Sequence, residues 1–468
     1  PMGRMTVTVD TGSGLVRHTF YTTRWGTVAD IAPAGYGWTA STAYTVDDAN
    51  LGDEWRAVNQ YFEMGRATSV RDLLNVEEKY LAIPSFNTMA ADKYGNALYA
   101  DVENTPGVSD ALITKCLPPG LATAVYQETG LITLDGSTTN CAWQTGKGAP
   151  VSGILNGSQE PHTIRTDYVE NSNDSYWLAN PSAAFPAYSP IIGSIDIPQG
   201  LRTRLGNEMI AERVAGTDGL GAPKFTIQTM QRMWENDRSL LAELVLKPLV
   251  SACEQAPVQP SSNGTTVNLT PACDALAGYE KYENGDLDAS GGWLFTIWYN
   301  SLDEGVPWAV PFDQAHPLTT PYGLDTADAD VLRALADAVL SLQAQSIPLT
   351  ASFGQVQHAT RGADVIPIHG CATGCFNAIY TTLDPGSPLM PGDYGEVSLG
   401  SSMVLTVELT SSGPRAEGIL TYSQATNPLS PWYANMTKLY SQKRWVQLPY
   451  TPAQLADQAG NHTLVLTS

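Results

Sequence analysis

The order of the predicted secondary structure constrains the fold of this chain more than any other feature. Alternating apolar residues predict a β-hairpin near the start, with strands at 5–9 and 15–21 around a turn at 11–14. Apolar residues at helical spacing predict helices at about 205–214, 226–252 and 327–344. Strand patterns return at 364–369, 376–381, 402–409 and 416–422, before a short helix near 432–440. Strands at both ends with helices between them indicate an α+β fold with a mainly helical insertion.

We therefore expect residues 1–200 to form the first part of a core, 201–348 to form the helical insertion, and 349–468 to complete the core with C-terminal strands. Within the first part, helices are predicted at 53–64 and 69–80, with Thr68 or Ser69 as the N-cap of the second. A second hairpin is predicted at 86–100. The first of these helices brings four apolar residues near one face: Trp55, Val58, Tyr61 and Phe62.

The net negative charge of the chain disfavours two classes of binding partner. Asp and Glu number 47 against 25 Lys and Arg, which gives a net charge of −22. Nucleic acid and polybasic membrane contacts are disfavoured, because both need clustered Lys and Arg. The sequence contains no apolar run of about 18 residues, so it predicts no membrane-spanning helix. Its first residues do not have the basic-then-apolar pattern of a signal peptide. Abundant aromatic residues, with 43% hydrophobic residues overall, argue against disorder.

The six cysteines form three pairs that are close in sequence: Cys116 with Cys141, Cys253 with Cys273, and Cys371 with Cys375. Six cysteines allow many connectivities, and six buried thiols are the alternative interpretation. The even number and the Ser, Thr and Asn content favour disulfides and an extracytoplasmic, secreted or periplasmic, location. A zinc site is disfavoured, because the sequence has no second Cys or His pair at finger spacing.

Common catalytic motifs are absent from the sequence. There is no G-x-S-x-G elbow, H-E-x-x-H, P-loop or G-x-G-x-x-G, and the six histidines are scattered. Pro1 carries a secondary amine that could act as a base, but its place beside a hairpin argues against this role. The residues alone therefore support a large, acidic, secreted α+β protein and no particular activity.

Three stretches carry a resemblance to a known family. They are Y-V-E-N-S-N-D-S-Y-W-L at 168–178, the segment 353–370 followed by F-N-A at 376–378, and L-T-Y-S-Q-A-T-N-P-L-S-P-W-Y at 420–433. Together they resemble the β chain of the penicillin acylase family of N-terminal-nucleophile (Ntn) hydrolases. The likeness is to the branch with aculeacin A acylase, penicillin V acylase and acyl-homoserine-lactone acylase, and runs from about residue 5 to 455.

The resemblance implies an αββα sandwich and an amide hydrolase made from a precursor that cuts itself. A Ser at the start of the β chain would be the nucleophile, with its own α-amine as base. Asn173 matches the second Asn of the family's N-x-N motif and is expected to donate to the oxyanion. The alternative is an Asn that closes an Asx-turn. An Arg further along the chain is expected to brace this Asn, and we favour Arg202 over Arg204.

The resemblance also implies what this chain does not contain. The nucleophilic Ser, its nearby His and the second oxyanion donor belong to a part of the β chain that would precede Pro1. The expected partners are therefore the α chain and the N-terminal part of the β chain, together with a small acyl-amide substrate. No metal and no cofactor are expected. In relatives a P-W-x-N string lines the acyl pocket, and here Ser85 and Phe86 occupy the middle of that string. Plain core is the alternative for Phe86.

Two functions remain after this comparison of motifs. The first is an acylase that removes a fatty or aromatic acyl group from a lipopeptide, an acyl-homoserine lactone or a penicillin, which includes quorum quenching. The second is a catalytically inactive acyl-binding or scaffold protein that kept the fold. The oxyanion Asn argues for the enzyme, because a scaffold has no need of it.

Overall fold

The chain divides into two compact units in the computed structural model, which describes residues 2–52, 54–383 and 394–457. The first unit comprises Pro1–Asn171 and Ser175–Ile195, and the second comprises Ser172–Asp174 and Asp196–Ser468. The boundaries that the sequence suggests at residues 200 and 348 stay a prediction about domains.

The first unit begins with a four-stranded antiparallel sheet, followed by a helical pair and a three-stranded sheet. Its strands and helices are β1 (Gly3–Asp10), β2 (Leu15–Thr23), β3 (Gly26–Ala29), β4 (Tyr44–Val46), α1 (Glu54–Met64), α2 (Val70–Tyr80), β5 (Thr88–Ala91), β6 (Ala97–Ala100), α3 (Asp110–Cys116), α4 (Leu121–Thr129) and β7 (His162–Arg165). Both predicted hairpins are present, and Met89 lies opposite Tyr99 in the β5–β6 pair. Core residues such as Leu74, Leu81 and Leu98 are fully buried between α2 and the second sheet.

Local chemistry explains where helix α2 begins. The Ser69 hydroxyl accepts a hydrogen bond from the backbone N–H of Asp72, so Ser69 rather than Thr68 is the N-cap. Asp72 lies in the first turn and Lys79 in the last, where each charge complements the helix dipole.

Helix α1 differs from a simple amphipathic helix. Its polar residues face inward: the Arg56 guanidinium donates to the carbonyl of Leu81 at 2.9 Å, and Gln60 accepts from the backbone N–H of Ala82 at 2.8 Å. The predicted apolar face is exposed instead, with Trp55 60% and Phe62 65% exposed. Arg56 and Gln60 satisfy buried backbone groups of the chain after α2, and this turns the apolar side outward.

The second unit holds a helical core flanked by small antiparallel sheets. Its first part contains α5 (Leu201–Ala215), α6 (Ile227–Glu235), α7 (Leu240–Gln255), β8 (Val258–Pro260), β9 (Thr266–Asn268), α8 (Thr270–Tyr279), α9 (Gly292–Asn300), β10 (Trp308–Val310), β11 (Tyr322–Leu324) and α10 (Ala329–Ala344). The rest contains α11 (Phe353–Val356), β12 (His358–Arg361), β13 (Asp364–Pro367), β14 (Ile379–Thr381), β15 (Val397–Gly400), β16 (Met403–Thr410), β17 (Gly413–Leu420), α12 (Asn435–Ser441), β18 (Val446–Leu448) and α13 (Pro452–Ala456). Trp293 and Trp298 are fully buried among α7–α10.

The helix predicted at 226–252 is two helices in the structure. Asp237 between them adopts a left-handed backbone conformation, with φ of 50°. The Ser239 hydroxyl then accepts from the N–H of Ala242 and starts α7 afresh. A single left-handed residue breaks a helix that the apolar spacing alone makes continuous.

Disulfides join the three predicted cysteine pairs, Cys116–Cys141, Cys253–Cys273 and Cys371–Cys375. The pairing inferred from proximity in sequence is therefore confirmed. Across the residues that the structure describes, no helix has the length and apolarity needed to span a membrane.

Candidate active site

Asn173 lies in the bend between strand β7 and the 3₁₀ turn at Tyr176–Leu178. Its backbone is left-handed, with φ of 64°, and its side chain is exposed. Asn tolerates this conformation better than most residues with a Cβ atom. The turn thus presents a neutral amide at the surface, and the amide cannot titrate.

The Arg202 side chain contacts this turn from the first turn of helix α5. Its Nη2 lies 2.7 Å from the Asn173 Oδ1 and 2.7 Å from the backbone carbonyl of Ser172. Since the guanidinium only donates, the amide oxygen of Asn173 must face it, and the Nδ2 donor lies on the other side of the amide.

Asp174 anchors the same turn to helix α5. Its Oδ2 accepts from the backbone N–H of Gly200 at 2.9 Å and from the hydroxyl of Thr203. The carboxylate sits at the N-terminal end of the helix, where the helix dipole favours negative charge. The sequence interpretation gave Asp174 no role, although the N-S-N-D-S string contains it.

Arg204 occupies a different place from Arg202. It is buried, and its guanidinium donates to the carbonyls of Leu318 at 2.9 Å and Pro321 at 2.8 Å. Burial lowers the pKa of this guanidinium from its ordinary value. Of the two candidates, the structure therefore places Arg202 against Asn173, while the catalytic roles of both Asn173 and Arg202 stay predictions.

The residues predicted to bind substrate, Ser85 and Phe86, belong to the first unit and lie in the loop between α2 and β5. Ser85 has a left-handed backbone, with φ of 55°. Phe86 is 61% exposed, so it is not part of the core of the described structure. The role of Ser85 and Phe86 in substrate binding stays a prediction.

One buried and two partly buried carboxyl groups lie close to one another in the first unit, and sequence reasoning did not find them. Burial raises the pKa of Asp101, and burial together with the charge of Asp101 raises that of Glu103. Burial also raises the pKa of Glu160 from its ordinary 4.5 to about 8. One Glu160 oxygen accepts from the backbone N–H of Glu103 at 3.1 Å. Isolated acids in a loop-rich stretch give no sequence signal of such a cluster.

A second polar cluster lies in the second unit, where the Asp237 carboxylate is 2.8 Å from the His369 Nδ1. Asn377 donates to the other carboxylate oxygen at 2.9 Å, and the Lys443 Nζ lies 3.1 Å from Asp237. The side chains of Asp237 and His369 are 0% exposed. The residue types suit acid–base chemistry, but no substrate can reach them in this arrangement.

A cavity of about 400 Å³ opens beside this cluster. Its charged lining includes Glu212, Glu235, Arg238 and Lys443, and none of the predicted site residues. Arg238 is already engaged by Glu212 and two other carboxylates. Over the described ranges, no group of three or more His, Cys, Asp or Glu side chains could hold a metal ion.

Comparison with known proteins places these features in a wider context. The penicillin amidase family model matches residues 1–457. The chain is 42% identical over 459 residues to aculeacin-A acylase of Actinoplanes utahensis, covering 97% of this chain and 56% of that protein. It is 32% identical to the acyl-homoserine lactone acylase PvdQ of Pseudomonas putida, again covering 97% of this chain and 56% of the relative. The chain thus spans about half the length of the curated relatives it matches.

A solved structure of thermostable penicillin G acylase from Alcaligenes faecalis has a similar fold. It matches with a TM-score of 0.58 at 15% identity, over 100% of this chain and 82% of that one. The mixed helices and small sheets described above agree with this likeness. The α+β class and the Ntn-hydrolase type of fold are therefore confirmed.

Proposed function

Because this chain belongs to the penicillin amidase family, we propose that it is part of the β chain of an acylase, an amide hydrolase that separates an acyl group from an amine. The contact between Arg202 and Asn173 is the observation that carries the proposal. It joins the two residues that the family resemblance selects, which are 29 positions apart in sequence. A buried salt-bridge network or a plain surface loop would not need an amide oriented in this way.

The proposed reaction begins with a Ser at the N-terminus of the β chain, on a segment outside residues 1–468. Its α-amine accepts the hydroxyl proton through a water molecule, and the oxygen attacks the amide carbonyl. The resulting oxyanion receives a hydrogen bond from the Nδ2 of Asn173, which Arg202 holds in place. The proton passes to the leaving nitrogen, the amine departs, and water then hydrolyses the acyl-enzyme ester to release the acid. One such donor contributes about 10²–10³ in rate.

The proposed partners are the α chain and the N-terminal part of the β chain, formed when a precursor cuts itself. Exposed apolar faces in each unit support partners of this kind. In the first unit the outward face of α1 carries Trp55, Val58 and Phe62. In the second unit, Met403 and Leu405 of β16 are about half exposed on one face of their sheet. Large apolar side chains that are exposed together on one face are typical of interfaces.

The proposed substrate is an amide with a fatty or aromatic acyl group, such as a cyclic lipopeptide, an acyl-homoserine lactone or a penicillin. Ser85 and Phe86 would line the acyl pocket. Phe86 offers an exposed apolar ring, and each methylene buried against such a surface contributes about 0.8 kcal/mol. Ser85, in place of the family's Trp, leaves more room or polarity beside it.

We place the mature protein outside the cytoplasm, secreted or periplasmic. The three disulfides support this location, because such bonds persist in oxidising compartments. For the domains, residues 1–200 and 349–468 would form the Ntn-type core, and 201–348 the mainly helical insertion.

An inactive acyl-binding or scaffold protein is the second candidate. Exposed Phe86 suits acyl binding without chemistry. The oriented amide of Asn173 favours the enzyme, since binding of an apolar chain does not need an oxyanion donor.

The test is to produce the chain together with the coding sequence that precedes it, and to analyse the purified material by intact mass and N-terminal sequencing. We expect additional chains, one of which begins with Ser. That assembly should release free acid and free amine from N-acyl amides, whereas residues 1–468 alone should not. Binding of the acyl substrates without release of either product would support the scaffold protein instead.

A further inference from the structure

Three side chains of the first unit, those of Tyr99, Asn87 and Asn171, form a hydrogen-bonded series. The Tyr99 hydroxyl lies 3.2 Å from the Asn87 Oδ1. The Asn87 Nδ2 lies 3.2 Å from the Asn171 Oδ1. Tyr99 is fully buried on β6, while Asn87 and Asn171 are partly buried in loops. The two amides are 84 positions apart, so this contact joins distant parts of the sequence.

Tyr99 fixes the direction of these hydrogen bonds. Burial raises the pKa of its hydroxyl well above the ordinary value, and the charges of Asp101 and Glu103 raise it further. The hydroxyl therefore keeps its proton and can donate. Because it donates to Asn87, the Asn87 oxygen must face Tyr99, and its nitrogen must face Asn171. In this orientation Asn87 accepts from Tyr99 and donates to Asn171 at the same time.

Asn87 and Asn171 are each close in sequence to a residue with a predicted functional role. Asn87 directly follows Phe86 and comes just before β5, which pairs with the strand that carries Tyr99. Asn171 comes two residues before Asn173 along the chain, and the backbone N–H of its neighbour Glu170 donates to the carbonyl of Ala179 at 2.8 Å. A displacement of Asn87 would therefore alter both the loop at Phe86 and the segment at Asn171.

We propose that Asn87 is a positioning residue that ties the acyl-binding loop at Ser85–Phe86 to the segment that leads into the oxyanion turn at Asn173. This inference rests on the proposed acylase function. The acyl chain bound beside Phe86 would then influence how well the oxyanion is held, so that acyl binding contributes to kcat as well as to KM. Misplacement of a reacting group by about 1 Å is enough to slow a reaction about a hundredfold.

The test is a double-mutant cycle on the assembled enzyme, with Asn87→Ala, Asn171→Ala and the double variant. Each single variant should lower kcat for a long-chain substrate at least about tenfold, and the double variant should be no slower than the slower single one. Tyr99→Phe, which keeps the ring and removes the hydroxyl, should lower kcat in the same direction by less. Asn96→Ala is the control, because the hydrogen bonds described for Asn96 join it to Asp92 within the β5–β6 turn.

Melting temperatures of all variants separate misfolding from mispositioning. Additive losses of kcat, or an equal loss in Asn96→Ala, would overturn the proposal, as would a change confined to KM. If the wild type releases no acid from any acyl amide, the acylase function itself fails. If the wild type is active and the cycle is additive, only the role of Asn87 fails.

Discussion

Two polar clusters of the second unit differ in exposure: one is enclosed, and the other includes an exposed side chain. Asp237, His369 and Asn377 have the side chains of a general acid–base site, yet Asp237 and His369 are wholly enclosed. Asn173 and Arg202 have less reactive side chains, but Asn173 is exposed on a turn. Residue type alone would select the Asp237 cluster, whereas the family resemblance selects Asn173 and Arg202.

The two clusters also differ in the hydrogen-bond and charge partners of their side chains. The Asp237 carboxylate is surrounded by donors from three other segments, including His369 and Lys443, so its charge is neutralised inside the protein. Such a network stabilises the fold and has no capacity left for a substrate. The Asn173 turn is held by Arg202, which donates to the amide oxygen of Asn173, and by Asp174, which accepts from the N–H of Gly200. The first cluster should therefore govern stability, and the second should govern turnover.

The largest expected effect is on stability. Asp237→Asn removes a buried charge while Lys443 and His369 remain, and should lower the free energy of unfolding by about 3 kcal/mol. Urea denaturation followed by tryptophan fluorescence measures this change. Asp274→Asn is the matched control on the exposed face of α8 and should change stability by less than about 0.5 kcal/mol. Equal stability of the two variants would show that the Asp237 cluster is not structural.

The next effect is on turnover. Asn173→Gly removes the amide at a left-handed position that Gly adopts freely, and Asn173→Asp keeps the shape but replaces the donor with a carboxylate. Both should lower kcat about 10²–10³-fold in the assembled enzyme, with little change in melting temperature. Steady-state hydrolysis of an N-acyl amide measures kcat. If either variant kept wild-type turnover, Asn173 would have only a turn-forming role.

The smallest effect concerns a buried carboxyl without a cation. The pKa of Glu160 is raised to about 8 in the folded protein from 4.5, mainly by burial, so folding favours its protonated form. The stability it contributes is present below about pH 4.5 and is lost as the pH rises towards 8. Glu160→Gln should flatten this dependence and stabilise the protein at pH 8 on the order of 2 kcal/mol.

Exposed Glu128, changed to Gln, is the control for the effect of Glu160→Gln and should leave the pH dependence of the melting temperature unchanged. A loss of stability at pH 8 in Glu160→Gln would mean that the ionised carboxylate is stabilised as Asp237 is. In that case Glu160 and Asp237 would both stabilise the fold as ionised carboxylates.

Local chemistry made much of the fold predictable from sequence. The turn at 11–14, the Ser69 cap of α2 and the close cysteine pairs depend on residues within a few positions or a few tens of positions of one another. The resemblance supplied the Ntn type of fold and pointed to Asn173 and Arg202, which local pattern alone could not connect.

Long-range contacts explain what the sequence could not predict. The Asp237–His369 pair joins residues 132 positions apart, and no sequence pattern near either residue predicts the contact. The face of α1 was visible as a pattern, but its outward direction follows from the backbone groups that Arg56 and Gln60 reach. Spacing shows that a helix has an apolar face and does not show which way the helix turns it.

Binding of a transition-state analogue tests the central claim most directly. A phosphonate that mimics the tetrahedral oxyanion of the N-acyl amide should bind the assembled wild-type enzyme at least about a hundredfold more tightly than the product acid. Isothermal titration of wild type and Asn173→Asp with both ligands gives the two ratios. We expect Asn173→Asp to lose most of the preference for the phosphonate while still binding the acid. If Asn173→Asp kept the full preference, the oxyanion would be held elsewhere and the assignment of Asn173 would be wrong.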